Sequence, residues 1–293
     1  MKKTFLIIAA VLWQLSTAQA NDYYVNATTG SNTPGNGTQT KPWKTISYAL
    51  SQITGTGHRI YVAAGTYDTV MDGVFPEVFP LLLRNGISLI GAKADSTIVD
   101  AKKSNSVIRC ENITDTTVVI QGLTIRNGNS GLSNGGGIRL ISSSPKIQNN
   151  IFEGNEGSSG GAIHVNGGSV MIRNNIFRNN NSSDGGGIGF SQGDIQIVQN
   201  QFIGNRAAFE GGAIYLSPSG FSKATAKIVE NVFISNSVNF NGPSIAIGFF
   251  NSQFPPYNRS KPHPQWTLLR ESRCPVDQQY FCWRRHWQCN NHQ

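Results

Sequence analysis

A repeating unit of about 25 residues constrains this chain more than any other feature. Four segments align on Phe152, Phe177, Phe202 and Phe233, spaced 25, 25 and 31 positions apart. Asn150, Asn175, Asn200 and Asn231 stand two residues before each Phe, and Asn155, Asn180, Asn205 and Asn236 three after. Runs of the Gly-Gly-Ala-Ile type end at Ile163, Ile188, Ile214 and Ile245, and an earlier one ends at Ile138. Ile147, Ile172, Ile197 and Ile228 form a further column with the spacing of the Phe residues. Several columns that keep one period do not arise from Gly and Asn bias.

Apolar residues alternate around each column, as in Val170 with Ile172, Ile195 with Ile197, Ile163 with Val165 and Ile214 with Leu216. Period two means strands with one face buried and one wet. Three short strands joined by Gly- and Asn-rich bends make one coil, and coils stacked about 4.8 Å apart bury the apolar columns in a continuous rod. The expected fold is therefore all-β: a right-handed parallel β-helix with three-strand coils of about 25 residues. The 31-residue step predicts an insertion near Ser217-Pro218-Ser219-Gly220. Leucine-rich and ankyrin-like solenoids need helical or Leu-spaced repeats that are missing here, and a propeller needs a period of roughly 40 or more.

Upstream, Ile60 to Val62, Ile87 to Ile90, Ile98-Val99, Val107-Ile108 and Val118 to Ile120 read as strands. Pro42 to Ile53 reads as a short helix, with Pro42 at its first position and Ile46, Ala49, Leu50 and Ile53 on one face. A stack of coils needs its end strands covered, so this helix is expected to form an N-terminal cap, with 21–39 as a loop leading into it. Residues 1–20 have the three parts of a signal peptide: Lys2-Lys3, the apolar run Phe5 to Leu15, and Ala18-Gln19-Ala20. The domain reading is 1–20 signal peptide, 21–105 cap and irregular first coils, 106–254 regular repeats, and 255–293 an atypical tail. That tail lacks the repeat and holds Cys274, Cys282 and Cys289, and it reads as an appendage or as the product of a shifted frame. Cys282, His286, Cys289 and His292 have no recognisable zinc spacing, so no metal is assigned.

Charge removes one class of function. The chain carries +8, but residues 21–254 hold 16 basic against 14 acidic side chains. A nearly neutral body offers no stripe for phosphate neutralisation, so nucleic acid is not expected as a partner. No segment of the mature chain approaches the length of a membrane span.

The Asn columns read as structural ladders and the Phe column as a core stack, because every coil carries them. The outward positions after each Gly-Gly run are Arg139, His164, Gly189, Tyr215 and Ala246. Arg139, His164 and Tyr215 combine charge, imidazole and an aromatic ring, which makes them candidate ligand-binding residues for an acidic or neutral sugar. His58 reads as a turn residue. Glycoside hydrolysis takes two carboxyl groups roughly 5–9.5 Å apart. Glu153, Glu156, Asp184, Asp194, Glu210 and Glu230 are expected to share no outward column. A calcium-assisted lyase would need an oxygen nest beside a base such as Lys146, Arg173 or Lys227. No catalytic residue is assigned, and calcium enters only under that lyase alternative.

Phe152–Asn155 with Gly160–Ile163, and its copies at Phe177, Phe202 and Phe233, resemble the repeat of the polymorphic outer membrane protein family. That resemblance implies a surface-displayed β-helical passenger acting as an adhesin. Tyr23-Tyr24-Val25, Pro42 to Leu50 and Ile60 to Tyr67 resemble the N-terminal segment of exported bacterial proteins in the pectin-lyase-like superfamily. That superfamily also contains polysaccharide lyases and hydrolases, which supply the enzymatic alternative. The expectation is an exported protein of the extracellular space or outer surface that binds polysaccharide or another cell-surface component.

Overall fold

The computed structural model describes residues 20–70, 76–217, 224–239 and 244–247, and the backbone of strand Trp283–Trp287. Residues 1–19 of the segment read as a signal peptide, the rest of the tail and Pro218-Ser219-Gly220 lie outside the described residues. The chain winds as a parallel β-helix in which the strands up to Ile245–Ile247 pair in parallel with their equivalents one winding on, while Trp283–Trp287 lies antiparallel to Thr225–Ile234.

Three lateral faces follow from the alternating pattern. On the first, strands Leu81–Leu83, Ile108–Glu111, Ile138–Ile141 and the start of Ile163–Arg173 stack in parallel, so Leu81, Ile108, Ile138, Ile163, Ile188, Ile214 and Ile245 form one inward column. On the second, Ile60, Leu89, Ile120, Ile147, Ile172, Ile197 and Ile228 do the same. On the third, Tyr67, Val99 and Ile125 continue into Phe152, Phe177, Phe202 and Phe233. The four Phe rings lie parallel within 7°, with centroids 4.8, 4.7 and 5.0 Å apart. Strand spacing sets that separation, and it falls within the range of favourable offset stacking. A four-stranded outer ribbon, Glu156–Ser159, Asn181–Asp184, Arg206–Glu210 and Ser237–Val238, lies between the third face and the first.

The bends are held by two amide ladders. Asn175 Nδ2 donates to Asn200 Oδ1 at 3.0 Å and to the Ile147 carbonyl at 2.9 Å, while its own Oδ1 accepts from the Asn150 backbone N–H at 2.9 Å. Asn180 repeats the pattern, donating to Asn205 Oδ1 and the Phe152 carbonyl and accepting from the Asn155 N–H. The residues just before the first ladder, Asn149, Asn174, Gln199 and Glu230, all have left-handed backbone, with φ between 55° and 57°. Of the six extra residues of the long step, five fall between Leu216 and Thr225, because Phe190 pairs with Leu216 and Asp194 with Thr225, and one falls between Ala207 and Glu210.

The cap departs from the sequence reading in two ways. The helix is Ile46–Gln52 with Thr45 as its N-cap, accepting from the Tyr48 N–H, so Pro42 precedes the helix rather than starting it. A strand, Asp22–Val25, occupies the segment read as a loop, and it pairs with His58–Val62. Its outer edge is covered because Tyr24 donates to Gly37 and Asn26 to Trp43. Tertiary partners hold both helix ends: the buried Glu77 carboxylate accepts the Ile46 and Ser47 N–H groups at 2.5 and 2.8 Å, and Arg84 donates to the Leu50 and Ile53 carbonyls. Acid at the N-terminus and base at the C-terminus both suit the helix dipole. No helix among the described residues is long and apolar enough to cross a membrane.

Removing the Phe177 ring leaves a void in a filled column, so Phe177→Ala is expected to cost about 3–5 kcal/mol. Asn180→Ala strands buried donors and acceptors on both neighbouring coils and is expected to cost about 2–4 kcal/mol. Thermal or urea unfolding followed by circular dichroism measures both, and losses below about 1 kcal/mol would contradict the stacked-column account.

Candidate functional site

Each winding crosses the outer ribbon and returns to the first face through the Gly-Gly run. Gly160 shows why that run is needed. Its φ is +68°, and a Cβ there would fall 2.0 Å from the Ile163 carbonyl oxygen. The tight return lays the end of the ribbon over the outward side of the first face: a Cβ on Gly189 would fall 2.3 Å from Ser159 Oγ. The result is a concave corner running along the solenoid.

Arg139, His164, Gly189, Tyr215 and Ala246 stand in one register column. The column does not form the open binding surface expected of it. His164 is only 3% exposed, and its Nε2 lies 3.3 Å from Asn134 Nδ2 and 3.1 Å from Ser191 Oγ. Burial, reinforced by the nearby Arg139 charge, lowers its pKa to about 4 and keeps the imidazole neutral near pH 7. Tyr215 is also buried, its hydroxyl bonded to Ser217, and its pKa is raised by that burial. Gly189 separates the two, so the three predicted residues do not converge. Only Arg139 keeps substantial access to solvent.

A second expectation is overturned. Asp184 and Glu210 are register partners on adjacent windings. Burial and the Glu210 charge raise the Asp184 pKa, although the carboxylate accepts the Glu210 backbone N–H. The same pairing contains a bulge: Ser182 opposes Ala207 and Asp184 opposes Glu210, leaving two residues against one. Bulges eject side chains from the regular alternation. Here Phe209 is thrown outward and is 59% exposed.

The outward side of the ribbon forms a shallow groove of about 390 Å³ lined by Asn129, Glu156, Asn181, Ser183, Arg206 and Ala208, among others, and Phe209 follows Ala208 in the chain without lining it. Arg206 Nε donates to Asn239 Oδ1 at 2.9 Å, and Lys103 Nζ to Glu156 Oε1 at 2.6 Å, which fixes the polar groups at both ends. Counting backwards from the Gly-Gly anchors exposes the acid pair in the sequence, since Asp184 and Glu210 each immediately precede one. The groove had no such signal.

The remaining candidates are structural. Glu153 pairs with Arg178 at 3.0 Å, Asp194 accepts from Ser169 and Thr225, and Gln199 donates to Glu230. Arg173 donates to Gln199 Oε1, while Lys146 and Lys227 stand in an outward column with Met171 and Gln196. His58 starts a strand and is buried, with Nδ1 accepting from the Asn21 N–H and Nε2 facing the Thr54 carbonyl. No three His, Cys, Asp or Glu side chains among the described residues are grouped to hold a metal ion.

Residues 85–254, more than half of the chain, match the family model described as a right handed beta helix region. Residues 28–110 match a model described as a protein of unknown function, DUF1565. No curated protein and no solved structure matches the chain.

The depressed His164 pKa makes a signed prediction. Between about 6.5 and about 4 the unfolded chain binds a proton on this imidazole and the folded chain does not. Stability from this group is therefore complete above pH 6.5 and falls as pH drops towards 4. His164→Gln is expected to flatten that part of the stability–pH curve in melts run from pH 8 to pH 4. An unchanged acid slope in the variant would rule the group out as its source.

Proposed function

The chain belongs to the right-handed β-helix family, and from that premise we propose that it is an exported solenoid binding glycan or another cell-surface component along its flank. The observation that supports this reading is the groove on the outer ribbon. It is shallow, it is lined by amides and hydroxyls with one acid and one base, and the residue that follows its lining Ala208 is the exposed Phe209. Amides and hydroxyls can satisfy the many donors and acceptors of a sugar, and an aromatic face covers the apolar side of its ring. Neighbouring windings offer related groups at intervals of about 4.8 Å, which suits a polymer better than a compact ligand. The leader-like residues 1–20 support export.

One observation favours a second reading, glycoside hydrolysis. Asp184 and Glu210 stand on adjacent windings, and Asp184 has the raised pKa that a proton donor needs.

Incubating the mature protein with a polysaccharide panel, and following both retention and new reducing or unsaturated ends, separates the two. Retention without products is expected. Phe209→Ala should weaken retention about tenfold, the scale of one lost 1.4 kcal/mol contact, and leave the melting temperature unchanged. Product formation abolished by Asp184→Asn or Glu210→Gln would replace binding with hydrolysis.

A further inference from the structure

Arg139 differs from every other arginine whose side chain is described. Arg59, Arg109, Arg126 and Arg178 each face a carboxylate, Arg84 caps helix carbonyls, and Arg173 and Arg206 donate to side-chain amides. The Arg139 guanidinium has no hydrogen-bond or ion-pair partner among the described residues. It is nevertheless half-buried, so it has given up part of its water without receiving an acceptor in exchange.

Its neighbours sharpen the point. Arg109 is its direct register partner one winding away, which sets two guanidinium-bearing residues side by side. Like charges placed opposite one another in a sheet repel. Glu111 offsets Arg109, accepting from its Nε at 2.8 Å, but nothing described offsets Arg139. On the other side His164 stays neutral and adds nothing to the repulsion. An anion from outside would relieve this column.

We infer that Arg139, backed by Arg109, is a subsite for an anionic substituent, a carboxylate or a sulfate ester, on the glycan bound along the flank. This rests on the glycan-binding reading and deepens it. A planar guanidinium matches either group with two parallel N–H···O bonds. The subsite is continuous with the groove through one loop: Asn129 and Gly131 line the groove, and Asn134 of the same loop reaches His164, the register neighbour of Arg139. A polymer lying on the ribbon therefore crosses this loop to reach the guanidinium.

Matched polymers test the subsite: a carboxylated polysaccharide against its carboxyl-reduced form, and a sulfated one against its desulfated form. The wild-type protein should hold the charged member of at least one pair about tenfold more tightly, the scale of one charged hydrogen bond. Added salt should erode that preference. The pair that shows the preference identifies the substituent. Arg139→Gln should abolish the preference and keep the affinity for the neutral member, and Arg139→Lys should restore part of it. Because Arg139 has no partner among the described residues, Arg139→Gln should melt with the wild type, and the Lys variant carries the test if it does not. Equal retention of charged and neutral members, or an undiminished preference in Arg139→Gln, overturns the subsite and leaves the glycan reading standing. Failure to retain any polymer, neutral or charged, overturns both.

Discussion

Apart from local turns, the backbone amides on the faces of each winding find their partners in the windings on either side. A solenoid closes no hydrogen-bond ring within one coil, so every N–H and C=O on a face must meet its equivalent one turn away, and a buried one that fails to do so is costly. In-register pairing is therefore the condition for the fold. It forces like side chains into columns, which is why Phe152, Phe177, Phe202 and Phe233 stack with nearly parallel rings. The bends would break the network, and there the Asn amides take over. An amide can donate to the next copy and accept from the previous one, whereas a carboxylate in the same place would only accept and would set like charges in a row.

The ends of such a stack are its weak points, because the first strand has an unpaired edge. The N-terminal edge is covered by the segment reaching Gly37 and Trp43, and the helix Ile46–Gln52 packs its apolar side onto the rod. That helix is short, so its stability comes from tertiary contacts more than from its own propensity. Glu77 at one end and Arg84 at the other supply them from a segment about thirty residues away. Burial raises the Glu77 pKa even though two backbone N–H groups and Ser47 bond it.

Inward positions are committed to the core, so chemistry is confined to outward positions and to the corners where the chain turns. The Gly-Gly return shapes both. By folding tightly it closes the core, and by the same motion it lays the ribbon over the first face. This removes water from His164, Asp184 and Tyr215 and shifts all three. Arg139, in the same column as His164 and Tyr215, keeps part of its surface open to solvent. One inserted residue in the ribbon also matters, since the bulge leaves Phe209 exposed on an otherwise polar ribbon.

The columns were legible in the sequence because a period-two pattern repeated every 25 residues allows few ways to bury Phe and Ile together. The winding, the Asn ladders, the upstream strands and the membership of Arg139, His164 and Tyr215 in one column all follow from counting. The helix boundary was less legible, because Pro42 suits a first helical position and only the Thr45 cap geometry places the start later. Exposure was not legible at all. Whether an outward residue meets water depends on what another winding places above it, and that is a property of three dimensions. His164 and Tyr215 became buried for this reason, Asp184 met Glu210 across a bulge, and Arg139 was left without a partner among the described residues. Spacing along the chain sets which residues are neighbours in a column, but only the packing of one turn over the next decides which of them remain open to a ligand.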